Sequence, residues 1–260
     1  MQILDGKKTA KEIKAELAEA VKLRKLEGRK IPHLAAVLVG NDGGSMTYVA
    51  AKVKACEEIG FESTLIRYDS SVPEDILLEK VESLNKDRSI DGFIVQLPLP
   101  SHIDELKVTQ AIDPKKDVDG FHPTNLGNMV LNLPGFLPAT PAGIIELMKR
   151  NGIETEGKNC VIVGRSNIVG TPLSIMLARN TNPGNCTVTL THSKTENLKE
   201  VCSKADILIS AIGKPGFITE DMVKSGAVVI DVGTTRVDDT SRERGWRLRG
   251  DVDFDNVKRK

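Results

Sequence analysis

Lys52 stands where a lysine is out of place. On a helical wheel advancing about 100° per residue, SMTYVAAKVKACEEIG (residues 45–60) gathers Tyr48, Val49, Val53, Ala55, Cys56 and Ile59 on one side. Lys54, Glu57 and Glu58 gather on the other, and Lys52 falls inside the apolar arc, one turn after Tyr48. A lysine is seldom buried without a partner or a role. An ammonium drawn into an apolar cleft loses hydration, which favours its neutral form and suits proton transfer near neutral pH. Two other places could join it. VQLPLP puts Gln96 at the end of a buried strand, and KDVDGF puts Asp117 and Asp119 in a loop. Ligands of open α/β sheets collect beyond the carboxyl ends of the strands, so Gln96 and the loop are expected to border one cleft.

A second chemistry is written in VIVGRSNIVG. Gly164 ends a strand and Gly170 lies near a helix start, the place where a dinucleotide pyrophosphate meets free backbone N–H groups. The turn is one residue longer than G-x-G-x-x-G, and Ser166 replaces the middle glycine, so a turn that merely packs helix on sheet explains it equally well. The next strand sharpens the reading. An NAD site wants an acid at its end to hold the ribose hydroxyls. Here CTVTLTHSKT ends in His192, Ser193 and Lys194, and Arg165 lies in the glycine turn. Cations and hydroxyls suit a 2′-phosphate, which selects NADP.

Each residue also has an account without function. Tyr48 can be a core aromatic, and Gln96 can cap backbone groups. Asp117 and Asp119, beside Lys115 and Lys116, can form a solvated turn. Lys52 can snorkel, with its stem on apolar surface and its head in water.

The elements that must position these residues alternate. HLAAVLVG, FESTLIRYD and IDGFIVQLPLP read as strands, the first two separated by the Lys52 helix. Residues 10–27 and EDILLEKVESLNKD after Pro73 read as further helices. A proline- and glycine-rich middle follows, and the domain junction is placed there: residues 1–119 form one domain and 120–260 the other. Beyond it come a helix from about Thr140 to Lys149, the strand NCVIVG, a helix from TPLSIMLARN, and the strands CTVTLTHS, ADILISAIG and AVVIDVG. Strands alternating with helices imply α/β domains with parallel sheets. The last segment, RVDDTSRERGWRLRGDVDFDNVKRK, is charged and stops abruptly.

Composition narrows the classes. The 260 residues suit two ordinary domains. Lys and Arg number 36 and Asp and Glu 36, so no basic excess recruits nucleic acid or an anionic membrane. No apolar run is long enough for a membrane span, and the charged, helix-like N-terminus lacks signal or transit character. A cytoplasmic protein is expected. Cys56, Cys160, Cys186 and Cys202 form no C-x-x-C pair, and His33, His102, His122 and His192 are dispersed, so free thiols and no metal are expected.

The motifs YVAAKVKACEEIG, GFIVQLPLP, KDVDGFHPTN, ATPAGIIELM, VIVGRSNIVGTPL, THSKT, ADILISAIGKPGFI, VVIDVGT and GDVDF occur in this order. Together they resemble the bifunctional methylenetetrahydrofolate dehydrogenase/cyclohydrolase family over nearly the whole chain. The resemblance implies NADP-dependent oxidation of 5,10-methylenetetrahydrofolate to the methenyl form and its hydrolysis to 10-formyltetrahydrofolate, in one-carbon metabolism. It implies an N-terminal α/β folate domain, a C-terminal Rossmann-type NADP domain, a shared cleft and a homodimer. By motif match, Lys52 is implied as the catalytic lysine, Gln96 as its hydrogen-bond partner, and Asp119 as the residue gripping the pterin. Tyr48, Val95 and Leu97 are implied as further folate contacts. Gly164, Arg165, Ser166, Ser193 and Thr234 are implied as NADP contacts.

Two other readings remain. A dehydrogenase without hydrolase activity is opposed by Lys52 with Gln96 and by the missing acid after the second strand. A silent folate- or nucleotide-binding protein is motivated by the end of the chain. Family members continue after GDVDF with a PVPGGVGPMT segment and a terminal helix, whereas this sequence stops at Lys260. Weak or no activity is expected if the protein ends there.

Overall fold

The computed structural model describes residues 2–242 and 245–260. It divides into two compact units, residues 5–139 and residues 1–4 with 140–260.

In the first unit, strand β1 (His33–Val39) lies between β2 (Glu62–Tyr68) and β3 (Gly92–Val95), all parallel, in the order β2-β1-β3. Successive strand side chains point to opposite faces, and here both faces are covered. Ala35, Val37 and Val39 join Phe93 and Val95 against Leu77, Val81 and Leu84 of helix α3 (Glu74–Lys86). Ala36, Leu38 and Ile94 face Val49 and Val53 of helix α2 (Gly43–Ile59). Fully burying a side chain such as Leu77 contributes about 1.5–3 kcal/mol relative to leaving it exposed. Helix α1 (Gly6–Leu26) packs on α2. Asp42 caps α2 by accepting from the Ser45 N–H at 2.8 Å, and these bonds hold its carboxyl below the usual carboxylate range. The other end of α2 stops at Gly60, in the left-handed conformation. Helix α4 (Glu105–Ala111) follows β3.

The middle segment departs from the expected loop. It forms helix α5 (Pro123–Leu131), capped by His122, whose Nδ1 accepts from the Thr124 N–H at 3.0 Å. Residues 120–139 belong to the first unit, so the units divide at 139/140, whereas the sequence places the junction at 119/120. Polar contacts hold that stretch back. Asn125 Nδ2 donates to Pro114 O and to the Asp117 carboxylate, and the Ala139 N–H donates to Asp119 O at 3.3 Å.

The second unit is a parallel sheet of β4 (Asn159–Val163), β5 (Thr187–Thr191), β6 (Ile207–Ser210) and β7 (Val228–Asp231), in the order β5-β4-β6-β7. On one face Cys160, Ile162, Ile207 and Ile209 pack with Ile144 and Met148 of helix α6 (Ala139–Arg150) and Leu173 and Leu177 of helix α7 (Gly170–Ala178). Leu4 packs on the same cluster, which ties the N-terminal residues to this unit. On the other face Val161, Val163 and Leu208 pack with Cys202 of helix α8 (Leu198–Ser203) and with Ile218, Val252 and Val257. The charged final segment also forms structure. Strands β8 (Thr235–Asp238) and β9 (Trp246–Arg249) pair antiparallel, and helix α9 (Phe254–Val257) follows. Among the described residues no helix is long and apolar enough to cross a membrane.

Candidate active site

The order β2-β1-β3 changes direction between β1 and β3, and the crevice beyond their carboxyl ends is the expected ligand site of such a sheet. Helix α2 starts just after β1, and Gln96 just follows β3. The Gln96 N–H donates to Val37 O of β1 at 2.9 Å, and the Ser45 hydroxyl of α2 donates to Leu97 O at 3.5 Å.

The apolar arc of α2 is buried as the wheel places it at Val49, Cys56 and Ile59. Tyr48 is 52% exposed, so its ring is not part of the core. Lys52 is half-buried. Its Nζ lies 3.4 Å from each carboxylate oxygen of Asp119, whose side chain is only 18% exposed. Burial pushes the Asp119 carboxyl up from its usual range. The Lys52 charge and bond pull it back, and nearby Asp117 adds a smaller upward push.

The carboxylates of KDVDGF are therefore no solvated turn. Asp117 is 2% exposed and accepts from the His122 N–H at 2.8 Å and from Asn125 Nδ2 at 2.9 Å. It also bridges to Phe93 beside β3, and the Phe93 N–H donates to Lys116 O. Asp117 anchors the loop, and Asp119 reaches Lys52 from it.

Gln96 differs from its implied role as the partner of Lys52. Its Nε2 donates to Leu97 O at 2.7 Å, and its Oε1 is buried without a hydrogen-bond partner. The nearest anion takes the lysine, because a charged acceptor binds an ammonium more strongly than an amide does. Val95 is 7% exposed and its side chain packs in the core with Phe93 and Leu77, away from the crevice surface. Leu97 is partly buried against the same cluster and offers its carbonyl to Ser45 and Gln96.

The second unit changes direction between β4 and β6. Gly164 ends β4 with φ +115, a conformation that favours glycine, and an added Cβ there would overlap Ala211 O. Gly170 starts α7 so close to Gly164 O that no Cβ fits. Ser166 Oγ accepts from the Val169 N–H at 3.1 Å and shapes the turn. Arg165 and Ser166 are exposed, as are Ser193 and Lys194 beyond β5. Thr195 Oγ1 accepts from the His192 N–H at 2.9 Å and fixes that strand end. Thr234, exposed, lies between β7 and β8. The two glycines thus leave a bare backbone cradle at a helix N-terminus, and no carboxylate ends β5. A dinucleotide with a 2′-phosphate fits these residues.

Sequence reasoning missed a third set. Asp251, Ser210 and Asp231 form a polar knot behind the β6 end, described below. Its signal was the aspartate of GDVDF between Gly250 and a hydrophobic residue. Among the described residues no group of three or more His, Cys, Asp and Glu could hold a metal ion.

Comparison with known proteins gives a consistent result. The family model for the catalytic domain of tetrahydrofolate dehydrogenase/cyclohydrolase matches residues 4–119, and the model for its NAD(P)-binding domain matches residues 138–260. The Bifunctional protein FolD of Cytophaga hutchinsonii is 64% identical over 257 residues, which span 99% of this chain and 89% of the relative. That of Porphyromonas gingivalis is 59% identical, spanning 98% and 86%. The crystal structure of the bifunctional dehydrogenase/cyclohydrolase FolD of Campylobacter jejuni superimposes with a TM-score of 0.92 at 43% identity, covering 100% of this chain and 89% of that one. The Trypanosoma brucei enzyme, complexed with NADP cofactor and inhibitor, gives 0.92 at 36% identity, covering 98% and 86%.

Proposed function

This chain belongs to the tetrahydrofolate dehydrogenase/cyclohydrolase family, and we propose that it catalyses both steps, NADP-dependent oxidation of 5,10-methylenetetrahydrofolate and hydrolysis of the methenyl product to 10-formyltetrahydrofolate. The observation that carries this reading is the Lys52–Asp119 pair, with Lys52 on the helix that follows β1.

NADP, when bound, supplies the hydride acceptor. Gly164, Arg165 and Ser166 of the β4 turn would hold its phosphates, with Ser193 at the β5 end and Thr234 beyond β7. The folate residues do the rest. Tyr48 offers an exposed aromatic face for the flat pterin. Asp119 is an acceptor for pterin N–H groups, and burial pushes its carboxyl up from the usual carboxylate range against the downward pull of Lys52. Gln96 Oε1 awaits a donor, since a buried acceptor without one costs free energy.

Oxidation removes a hydride from the one-carbon bridge and leaves a cation. A permanently charged ammonium beside it would oppose that charge. The Asp119 carboxylate, 3.4 Å from Lys52 Nζ, offsets the ammonium's charge. In hydrolysis, water adds to the cationic carbon and releases one proton to solvent, and Lys52 gives a proton to N5 as the bond from that carbon to N5 breaks. The carbon stays on N10 as the formyl group, and Lys52 regains a proton from the hydroxyl as it becomes the formyl C=O.

The assignment to a homodimer in the cytoplasm rests on the family resemblance and on four unpaired cysteines. Absorbance at the reduced-nicotinamide and methenyl bands tests the function. Mixed with methylenetetrahydrofolate and NADP, the protein reduces the cofactor and accumulates no methenyl product. Absence of turnover with NADP or NAD would sink the reading. Methenyl accumulation without formyl product, beyond the spontaneous rate, would reduce it to a dehydrogenase.

A further inference from the structure

Behind the cofactor cradle sits a carboxylate with no assigned task. Asp251 is 0% exposed. Its oxygens accept from Ser210 Oγ at 3.0 Å, from the Ile212 N–H at 2.8 Å and from the Lys214 N–H at 2.7 Å. Its own N–H donates to Asp231 Oδ1 at 2.9 Å, and the Val252 N–H donates to Asp231 Oδ2 at 3.0 Å. Two strand-end segments, IDVG and GDVD, thus hold each other through their aspartates. Among the described residues no cation pairs with Asp251.

A buried carboxylate without a cation is an expensive way to fill a core, and an apolar residue would stabilise the fold at lower cost. What the carboxylate adds is direction. It fixes two alternate backbone N–H groups of one loop, at Ile212 and Lys214, and therefore the path of Ala211–Lys214. That loop leaves the carboxyl end of β6, on the opposite side of the β4/β6 crevice from the glycine turn. The loop also touches the turn. The space a Gly164 Cβ would need is taken by Ala211 O and bordered by the Ile212 side chain at 3.2 Å. A third tether comes from Thr235 Oγ1, which donates to Gly213 O at 3.1 Å.

We propose that Asp251 is a positioning residue for the dinucleotide, holding the Ala211–Lys214 loop as the β6 wall of the cofactor crevice while touching no ligand itself. The proposal rests on the NADP-dependent reading above and assigns a task to a residue outside it. Neutralising the carboxylate breaks the device. In D251N one acceptor oxygen becomes an NH2 group facing backbone donors, so either Ile212 or Lys214 is released. Ser210 can rotate to suit, but the backbone N–H groups cannot. The proposal also predicts that Gly233 tolerates no side chain, because an added Cβ would overlap the Asp251 carboxyl group.

The experiment measures NADP dissociation by calorimetry, dehydrogenase KM and kcat, and hydrolysis of methenyltetrahydrofolate without NADP. Hydrolysis involves no redox change and needs no cofactor, so it reports whether the protein is otherwise intact. D251N is expected to weaken NADP binding about tenfold, the loss of one charge-assisted hydrogen bond, to raise the KM for NADP in step and to leave hydrolysis within twofold. G233A should show the same pattern. S210A, which keeps both backbone bonds, should shift NADP affinity less than either. Normal NADP affinity in D251N and G233A would overturn the proposal, as would parallel loss of both activities in the two variants. If D251N does not fold, G233A and S210A decide alone by the same criteria. Failure of the unaltered protein to bind NADP would sink the functional reading itself, and is told apart by that control.

Discussion

The tripeptide Asp-Val-Asp occurs in both units, at residues 117–119 and 251–253, and the two copies solve the same local problem with different ends. In each, the first aspartate is buried and accepts hydrogen bonds, from His122 and Asn125 in one copy and from Ser210, Ile212 and Lys214 in the other. In each, the valine turns into a core, Val118 toward Leu38 and Ile94, and Val252 toward Ile218 and Leu208. In each, the segment makes an isolated parallel bridge to a neighbouring segment, Phe93–Asp117 and Ile218–Val252. The copies part at the third residue. Asp119 faces an ammonium, whereas Asp253 accepts from Asn256 Nδ2 at 2.6 Å at the start of α9. Burying the first acid makes a stiff bracket, and what stands two residues on decides whether it carries chemistry. The brackets also differ in reach. Asp117 ties its own loop, while Asp251 ties a loop about forty residues earlier in the chain.

The strongest way to break the comparison is at the reactive end. Lys52→Met removes the cation that Asp119 serves while keeping an unbranched apolar stem. Hydrolysis of the methenyl substrate should fall by about 10²–10⁴-fold, the span of general acid–base catalysis. NADP affinity, measured separately, should not move. Hydrolysis at the normal rate would leave Asp119 as a structural acid like Asp253.

Asp117→Ala tests the bracket itself. The His122 N–H and Asn125 Nδ2 both donate to Asp117 Oδ2, so truncation leaves two donors without their acceptor. The expected cost is about 1–3 kcal/mol of stability from an unsatisfied buried donor, read from denaturant midpoints. Because Asp117 ties the loop that carries Asp119, the KM for folate should rise about tenfold while NADP affinity is kept. Asp251→Asn should show the mirror pattern, and if both variants move the same constant the two brackets are not local devices.

These brackets were the least legible part of the sequence. The Lys52 arc, the glycine turn and the strand runs could be read because apolar period and glycine spacing are local signals. Asp117 reads as a charged turn because lysines precede it, and only packing against Phe93 and Asn125 makes it a core residue. Helix α5 hid in a proline- and glycine-rich stretch although Pro123 and Asn132 are ordinary start and stop residues, because its cap is a histidine. The β8–β9 hairpin escaped because each strand is only four residues long, and the register sets Trp246 and Leu248 across from Asp238 and Arg236, so neither face is apolar. Asp251 was quoted in a motif, yet its partners lie about forty residues away, beyond any local pattern. The pairing of Lys52 with Asp119 instead of Gln96 is likewise a contact across 67 positions of sequence.

Asp119 separates the copies by pH. Burial raises its pKa above the unfolded value, so the folded state holds the proton more tightly. That favours folding at low pH, and the contribution is lost as pH rises from the ordinary carboxylate value of 3.8 through the folded value. Asp119→Asn should therefore remove part of the decline in unfolding free energy over that window, measured by denaturant titration at several pH values. It should also cost activity, because Lys52 loses its anion. An unchanged pH profile would mean that Asp119 is not desolvated in solution.

The smallest expected effect concerns the third tether of the cofactor loop. Thr235→Val deletes the Oγ1 bond to Gly213 O and keeps the branched strand side chain. The bond is exposed to water, so its net worth lies at the low end of about 0.5–1.5 kcal/mol. The KM for NADP should rise about twofold to threefold, less than in Asp251→Asn, because two part-buried bonds to the Asp251 carboxylate still hold Ile212 and Lys214. Added to Asp251→Asn, the loss should exceed the sum of the single losses. With one of the two backbone bonds to residue 251 gone, the hydroxyl carries a larger share of the hold on the loop, and residues tying one loop do not act independently. Simple additivity would place Thr235 on the hairpin's account alone, and the loop would then be held by Asp251 without help.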